Sequence, residues 1–232
     1  MNDKKHLNFD FLDKDVKDTE SISVDNTSTK VSSEADKKNG FIEYFKLCFT
    51  NFSDFSKKYL TTKNPKYLLF TIWIVGIGTA MDRIIGSSSD YSSWGEGWAI
   101  ALFGGILSGA IAYYIAGWFY NVRIKWSKGK DDLDTSRHIY IFASLPIALS
   151  TILSFLFNQM AYGDEYFYSY DATTVDVIFL FVFIVALFIS IRMGYKAARE
   201  VMGADKGRAI GWFIVAPTIF YVLVIFLSAA SS

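Results

Sequence analysis

Five apolar runs, each longer than a soluble core helix requires, constrain this 232-residue chain more than any other feature. Tyr67–Ile85 is interrupted only near its end, by Asp82-Arg83. Trp98–Tyr120 and Ile139–Phe157 carry no charge, Val177–Ile191 lies between Asp176 and Arg192, and Ala209–Ala230 is uncharged. A helix that crosses a bilayer needs about 20 mainly apolar residues, within a range of about 17 to 25. All five runs reach that length once the aliphatic stem of Arg192 carries its charge to the interface, which extends the fourth to about residue 194. Hydrocarbon offers the backbone no hydrogen-bond partner, so such runs must be helical. The predicted class is therefore all-α: a polytopic membrane protein with a five-helix transmembrane bundle. Its spans fall at about 67–85, 98–120, 139–157, 177–194 and 209–230, within a domain covering 41–232. A composition that is 52% hydrophobic and 18% aromatic agrees.

The basic residues supply an independent test, because loops retained in the cytosol are enriched in Lys and Arg. Lys46, Lys57, Lys58, Lys63 and Lys66 precede the first span. Arg123, Lys125, Lys128, Lys130 and Arg137 connect the second to the third, and Arg192, Lys196, Arg199, Lys206 and Arg208 connect the fourth to the fifth. The connection between spans one and two holds only Arg83, the loop Gln159–Asp176 holds no Lys or Arg, and neither does the closing SAASS. Alternate connections are basic, as five spans require. The N-terminus is expected in the cytosol and the C-terminus on the far side. Acidic and basic residues balance at 23 each, so no bulk charge points to nucleic acid.

Residues 1–40 read as a disordered cytosolic tail: SISVDNTSTKVSSEADKKNG holds too little apolar surface to offset the entropy of ordering. Its one apolar patch, LNFDFL, is more often incidental than a docking motif. The tail contains no apolar core of a signal peptide, so insertion is expected from an internal hydrophobic segment. From Phe41 the apolar residues Phe41, Phe45, Cys48, Phe52, Phe55 and Tyr59 recur at three- and four-residue steps, one face of a helix. Such an amphipathic helix lies in the membrane interface with its aromatic face among the acyl chains, or packs on the bundle; the sequence is compatible with both.

Within the spans, Gly105 and Gly109 form a GxxxG pair that Ala112, Ala116 and Gly117 extend into a small-residue stripe. Small residues let helix backbones approach closely in lipid. The mate is a second copy of the chain or, the favoured reading, another span of the same chain, with Gly76, Gly78 and Ala80 of span one as candidates. Pro146 and Pro217 mark kinks, with Ser144 and Ser150 placed to re-satisfy backbone groups near Pro146. Asp82 and Arg83 read as an interfacial ion pair before they read as a transport site. The cytosolic loop residues Asp131, Asp132, Asp134 and Arg137 lack the glycine and distal glutamate of a calcium loop. They read as a solvated connection, with Asp134 or Thr135 capping the next helix. The acidic, tyrosine-rich Gln159–Asp176 loop reads as an aromatic belt at the interface. His138 and Cys48 have no companion ligands. No nucleophile–base pair, phosphate-binding glycine pattern or zinc motif occurs, so neither an enzyme nor a bound cofactor or metal is expected.

The chain resembles the Yip domain family of Ypt/Rab-interacting membrane proteins over about Phe41–Ala230. The resemblance rests on the Phe-rich segment leading through KNPKY into a span that ends GIGTAMDRI, on the basic WSKGKDDLDTSRHIY loop running into SLPIAL, and on AAREVMGADKGRAIGWFIVAP before the last span. Family loops often carry a double glycine before span three, where this chain has only Gly129. Eukaryotic relatives are five-span proteins of the endoplasmic reticulum and Golgi that bind Rab-type GTPases through cytosolic segments; prokaryotic ones lie in the cytoplasmic membrane. The short tail favours the prokaryotic branch. The resemblance implies a non-enzymatic membrane scaffold whose cytosolic face organises membrane or peripheral protein partners, with a homo-oligomer compatible. A small-solute or ion transporter is the alternative.

Overall fold

A computed structural model describes residues 40–87, 91–168 and 174–231. Apart from Gly40, the tail expected at 1–40, with its LNFDFL patch, lies outside the described residues. Tyr44–Ser232 forms one compact unit and Met1–Glu43 counts as another.

Among the described residues every regular element is helical. Helix α1 (Phe41–Thr50) is followed by the short α2 (Phe52–Phe55), which continues into a π turn at Ser56–Leu60. Helix α3 is Leu68–Gly86. Helix α4 comprises Trp94–Ile111, a π turn at Ala112–Ala116 and Gly117–Trp126. Helix α5 is Leu133–Tyr162, closed by a 3-10 turn at Gly163–Phe167, and α6 is Thr174–Glu200. Helix α7 comprises Lys206–Ile210, a π turn at Gly211–Val215 and Ala216–Ser231. Helices α3 to α6 are long and apolar enough to cross a membrane, and α7 occupies the fifth predicted run, divided by its π turn into shorter pieces. Most of the helices overrun the apolar stretches because polar caps set their starts. Ser93 accepts from the Glu96 N–H at α4, Asp132 from Thr135 at α5, and Asp205 from Arg208 at α7.

Helix α5 is the hub. It buries residues along both halves, from Ile139 and Phe142 to Phe155 and Asn158. By contrast, α4 turns Phe103, Ile106, Leu107 and Ile111 outward, and α6 and α7 do the same with Phe181, Phe188 and Phe220. In water each such side chain would cost about 25 cal/mol per Å² of apolar surface. Facing acyl chains it costs nothing of the kind, so the exposed apolar belt is the lipid-facing surface.

The core is divided between the two ends of the bundle. At the basic end Tyr44, Cys48, Phe55, Leu60, Ile124, Phe142 and Ala197 pack together; at the other, Met81, Ile84, Trp94, Phe155 and Tyr166 do. Of the two placements left open for the amphipathic segment, its face packs on the bundle. The buried hydrophobic residues are Tyr44, Cys48, Phe52, Phe55, Tyr59 and Leu60, while Phe41 is 48% exposed and Phe45 half-buried. Tyr44 displaces the expected Phe45 because its hydroxyl, which donates to the Lys66 carbonyl (2.8 Å), lets a polar ring enter the core.

Helix α5 runs on through the buried Pro146. The nearby hydroxyls do not serve the carbonyl of Phe142, which the proline leaves without its usual donor. Ser144 donates to Tyr140 (2.9 Å) and Ser150 to Ile147 (2.7 Å), each bonding its own nearest turn. Pro217 follows the cap residue of a π turn whose closing bond joins the Ala216 N–H to the Gly211 carbonyl, so the helix already departs from α geometry next to the ring.

Candidate functional site

The three basic connections meet at one end of the bundle and are joined there by hydrogen bonds. The α4–α5 and α6–α7 connections exchange backbone bonds: the Lys130 N–H donates to the Met202 carbonyl (2.7 Å) and the Asp205 N–H to the Ser127 carbonyl (2.7 Å). Gly129 permits this approach, since a Cβ there would lie 2.7 Å from Ile124 Cγ2 and 3.0 Å from the Met202 oxygen. Lys128 beside it has φ 58°, a left-handed conformation that favours glycine.

The four loop residues singled out in the sequence are engaged by their own chain. Asp131 bonds Lys125 (2.7 Å) and the amide of the buried Asn121 (2.8 Å), which also accepts from the Ser136 hydroxyl (2.9 Å). Lys125 and then Asn121 hold the Asp131 carboxyl below the usual carboxylate range. Asp132, rather than Asp134 or Thr135, caps α5. Burial raises its carboxyl, but the Thr135 bonds and Lys130 outweigh this and hold it low. Asp134 pairs with Arg137 at 3.6 Å. The Arg137 stem lies against Gly117, where a Cβ would come within 2.8 Å of it, and its guanidinium sits over Tyr114 (5.1 Å).

The lead segment is tied to the same end. His138 is buried, and its Nδ1–H donates to the Leu60 carbonyl (3.0 Å), a structural bond rather than a metal site. The Ser53 hydroxyl donates to the Glu200 carboxylate, which also pairs with Lys57 (3.5 Å). Burial pushes both the Cys48 thiol and the Tyr44 phenol upward, leaving Cys48 an uncharged packing residue. Glu200, Ser53, Asn121 and Ser136 were not singled out in the sequence; only Asn121, a polar residue at the end of an apolar run, offered a signal. Among the described residues no group of three potential metal ligands comes together.

In the membrane-spanning part, α3 and α4 cross at their glycines. A Cβ on Gly76 would overlap the Gly105 carbonyl oxygen, one on Gly105 would lie 2.8 Å from Ile77 Cγ1, and one on Gly109 would overlap the Ile72 carbonyl oxygen. The GxxxG pair thus meets span one of the same chain. Gly78 faces α5 at Ala148 instead. Along the rest of the stripe, Ala112 packs against the basic-end core and Ala116 lines a groove.

Asp82 and Arg83 do not form an ion pair among the described residues, because consecutive helix residues point about 100° apart. Asp82 lines two adjoining clefts of about 330 and 230 Å³, which share Thr151 and Phe183 with it. The larger also reaches Ser154, Asp176 and the buried Asn158, whose amide oxygen has no partner among the described residues.

At the end opposite the basic one, Trp94 donates to the Gly163 carbonyl (2.7 Å) and packs on Phe167 (4.8 Å), Phe155 (5.1 Å) and Tyr166 (5.2 Å). Of the loop expected as an interfacial belt, Tyr166 and Phe167 are therefore buried core, Tyr168 is exposed, and residues 169–173 lie outside the described residues.

A family model, the Yip1 domain, matches residues 48–227. No curated protein and no solved structure matches the chain.

Proposed function

The chain belongs to the Yip1 domain family, and from that premise we propose that it is a non-enzymatic scaffold whose basic end faces the cytosol and holds membrane or peripheral protein partners. The observation that carries this reading is the fusion of the α4–α5 and α6–α7 connections by the Lys130–Met202 and Asp205–Ser127 backbone bonds. These bonds join the two loops into one surface. Acidic and basic side chains on its outer side, such as Asp134 (70% exposed) and Lys130 (73% exposed), keep most of their surface open to a partner although each is ion-paired within the chain.

Photo-crosslinkers at Lys63, Lys130 and Asp134 should capture discrete partners in native membranes, whereas crosslinkers at Asp164 on the opposite end should not. Equal capture from both ends, or none from the basic end, would sink the reading. Orientation needs engineered cysteines, because Cys48 is fully buried and silent to thiol reagents. Lys63→Cys should resist an impermeant reagent in intact cells while Asp164→Cys reacts; the reverse pattern places the basic end outside.

A second reading, passage of a small cation or polar solute, has one observation in its favour: Asp82 and the unpartnered Asn158 oxygen share a cleft between the spans. Reconstituted vesicles showing no ion or solute flux would remove it.

A further inference from the structure

Between α4, α5, α6 and α7, toward the basic end, lies a groove of about 820 Å³ that neither the fused loops nor the Asp82 clefts explain. Its composition changes along its length. The end nearest the loops carries Trp126 and Trp212, whose rings lie 4.6 Å apart. Outside the lining, the Arg208 guanidinium donates to the Trp126 carbonyl (3.4 Å). One turn deeper along α4, Arg123 is half-buried over the rings of Phe213 (4.9 Å) and Tyr120 (5.4 Å). Below it the walls are mainly apolar, with Ile147, Leu187 and Phe220.

Arg123 is a cation of this end that is half-buried in the groove wall yet unpaired among the described residues. Lys57, Lys125, Lys130 and Arg137 each have a carboxylate partner. Arg123 has no carboxylate within ion-pair distance and no hydrogen-bond acceptor among the described residues, although a cation withdrawn from water is costly without an opposing charge. A second polar group on the same wall is also unserved. Ser190 is 9% exposed and its Oγ has no partner among the described residues, whereas Ser144 and Thr218 on the neighbouring helices each bond their own backbone.

We propose that the groove binds one anionic phospholipid from the leaflet at the basic end. Its phosphate pairs with Arg123, and one acyl chain lies along Ile147, Leu187 and Phe220. A guanidinium fork matches two phosphate oxygens, and tryptophans favour the depth of the headgroups. An anionic rather than a zwitterionic lipid is required because, among the described residues, no carboxylate lines the groove to receive a headgroup ammonium.

The test is native mass spectrometry of the delipidated full chain. Phosphatidylglycerol and phosphatidylcholine of identical acyl chains are added separately and in competition. One phosphatidylglycerol should survive activation that strips phosphatidylcholine, with a preference of about tenfold or more. Arg123→Gln should abolish that preference while Arg123→Lys retains part of it. If Arg123→Gln does not fold, Ala216→Phe serves instead: it fills the groove, leaves Arg123 in place, and should remove the retained lipid. Equal retention of the two lipids, or a preference that persists in both variants, overturns the proposal. Displacement by millimolar inorganic phosphate would mean a free-anion site, and a dimer lost in Ala216→Phe would mean a second copy fills the groove; either result also overturns it.

Discussion

The crossing of α3 and α4 and the groove among α4 to α7 solve helix packing in opposite ways. At the crossing, Gly76, Gly105 and Gly109 bring backbone against backbone, with no space for even one methyl group. At the groove, Tyr120, Tyr140, Phe213 and Phe220 stand on the facing helices, and their bulk holds the axes apart around about 820 Å³. In lipid no hydrophobic force closes such a gap, so packing shape alone decides which interface is dry and which stays open. One side of this bundle is built to be rigid, and the other leaves room for something that is not protein.

The largest effects should follow from breaking the closed side. Gly76→Leu places a branched side chain where a backbone oxygen already sits, and the chain should fail to yield monodisperse protein in detergent. A gentler pair sharpens the point within one helix turn. Gly105→Ala should lower thermal stability by about 1–3 kcal/mol because its Cβ meets Ile77. Gly104→Ala, whose Cβ finds only Ile100 Cγ2 at 3.9 Å, should instead gain about 0.5–1 kcal/mol from helix propensity. Equal effects at the two positions would mean that the crossing is not close-packed.

The open side lacks such contacts, and the loop bonds at its basic end strap α4 and α5 to α6 and α7. Weakening that strap should cost less than breaking the crossing. Asp205→Ala removes the cap of α7 and should cost about 1 kcal/mol in a thermal scan. Acid should loosen the same strap. Asp131 and Asp132 titrate below their unfolded value, so their contribution is fully present above about pH 3.9 and is lost as the pH falls through their depressed folded values. The thermal midpoint should therefore fall as the pH drops below about 4, and the fall should shrink in Asp131→Asn/Asp132→Asn.

Much of the rigid side was legible in the sequence, because it is written locally. Uncharged runs show where helices lie, and GxxxG marks a face that another backbone can approach. The loops that meet at the basic end could be grouped by counting Lys and Arg. Geometry within one helix turn was already harder: Asp82 and Arg83 are neighbours in sequence but not on the helix surface. The bond between Ser53 and Glu200, 147 residues apart, has no local trace at all. Nor does the groove, which depends on how four helices tilt around large side chains. Arg123 reads in the sequence as one more loop charge, and only three dimensions show it half-buried in the groove wall without a partner among the described residues.

The smallest effect concerns Lys128, and it tests the strap by tightening it. At φ 58° a non-glycine side chain crowds its own backbone, a cost of roughly 1 kcal/mol that glycine avoids. The Lys128 side chain makes no hydrogen bond or ion pair among the described residues, so little is lost with it. Glycine also frees the unfolded chain, which returns part of the gain. Lys128→Gly should thus raise stability by about 0.5 kcal/mol. The rise should disappear in a variant whose strap is already broken, such as one with a residue inserted between Met202 and Gly203. If it persists there, the left-handed residue is relieved without help from the α6–α7 connection. The two loops would then not act as one surface.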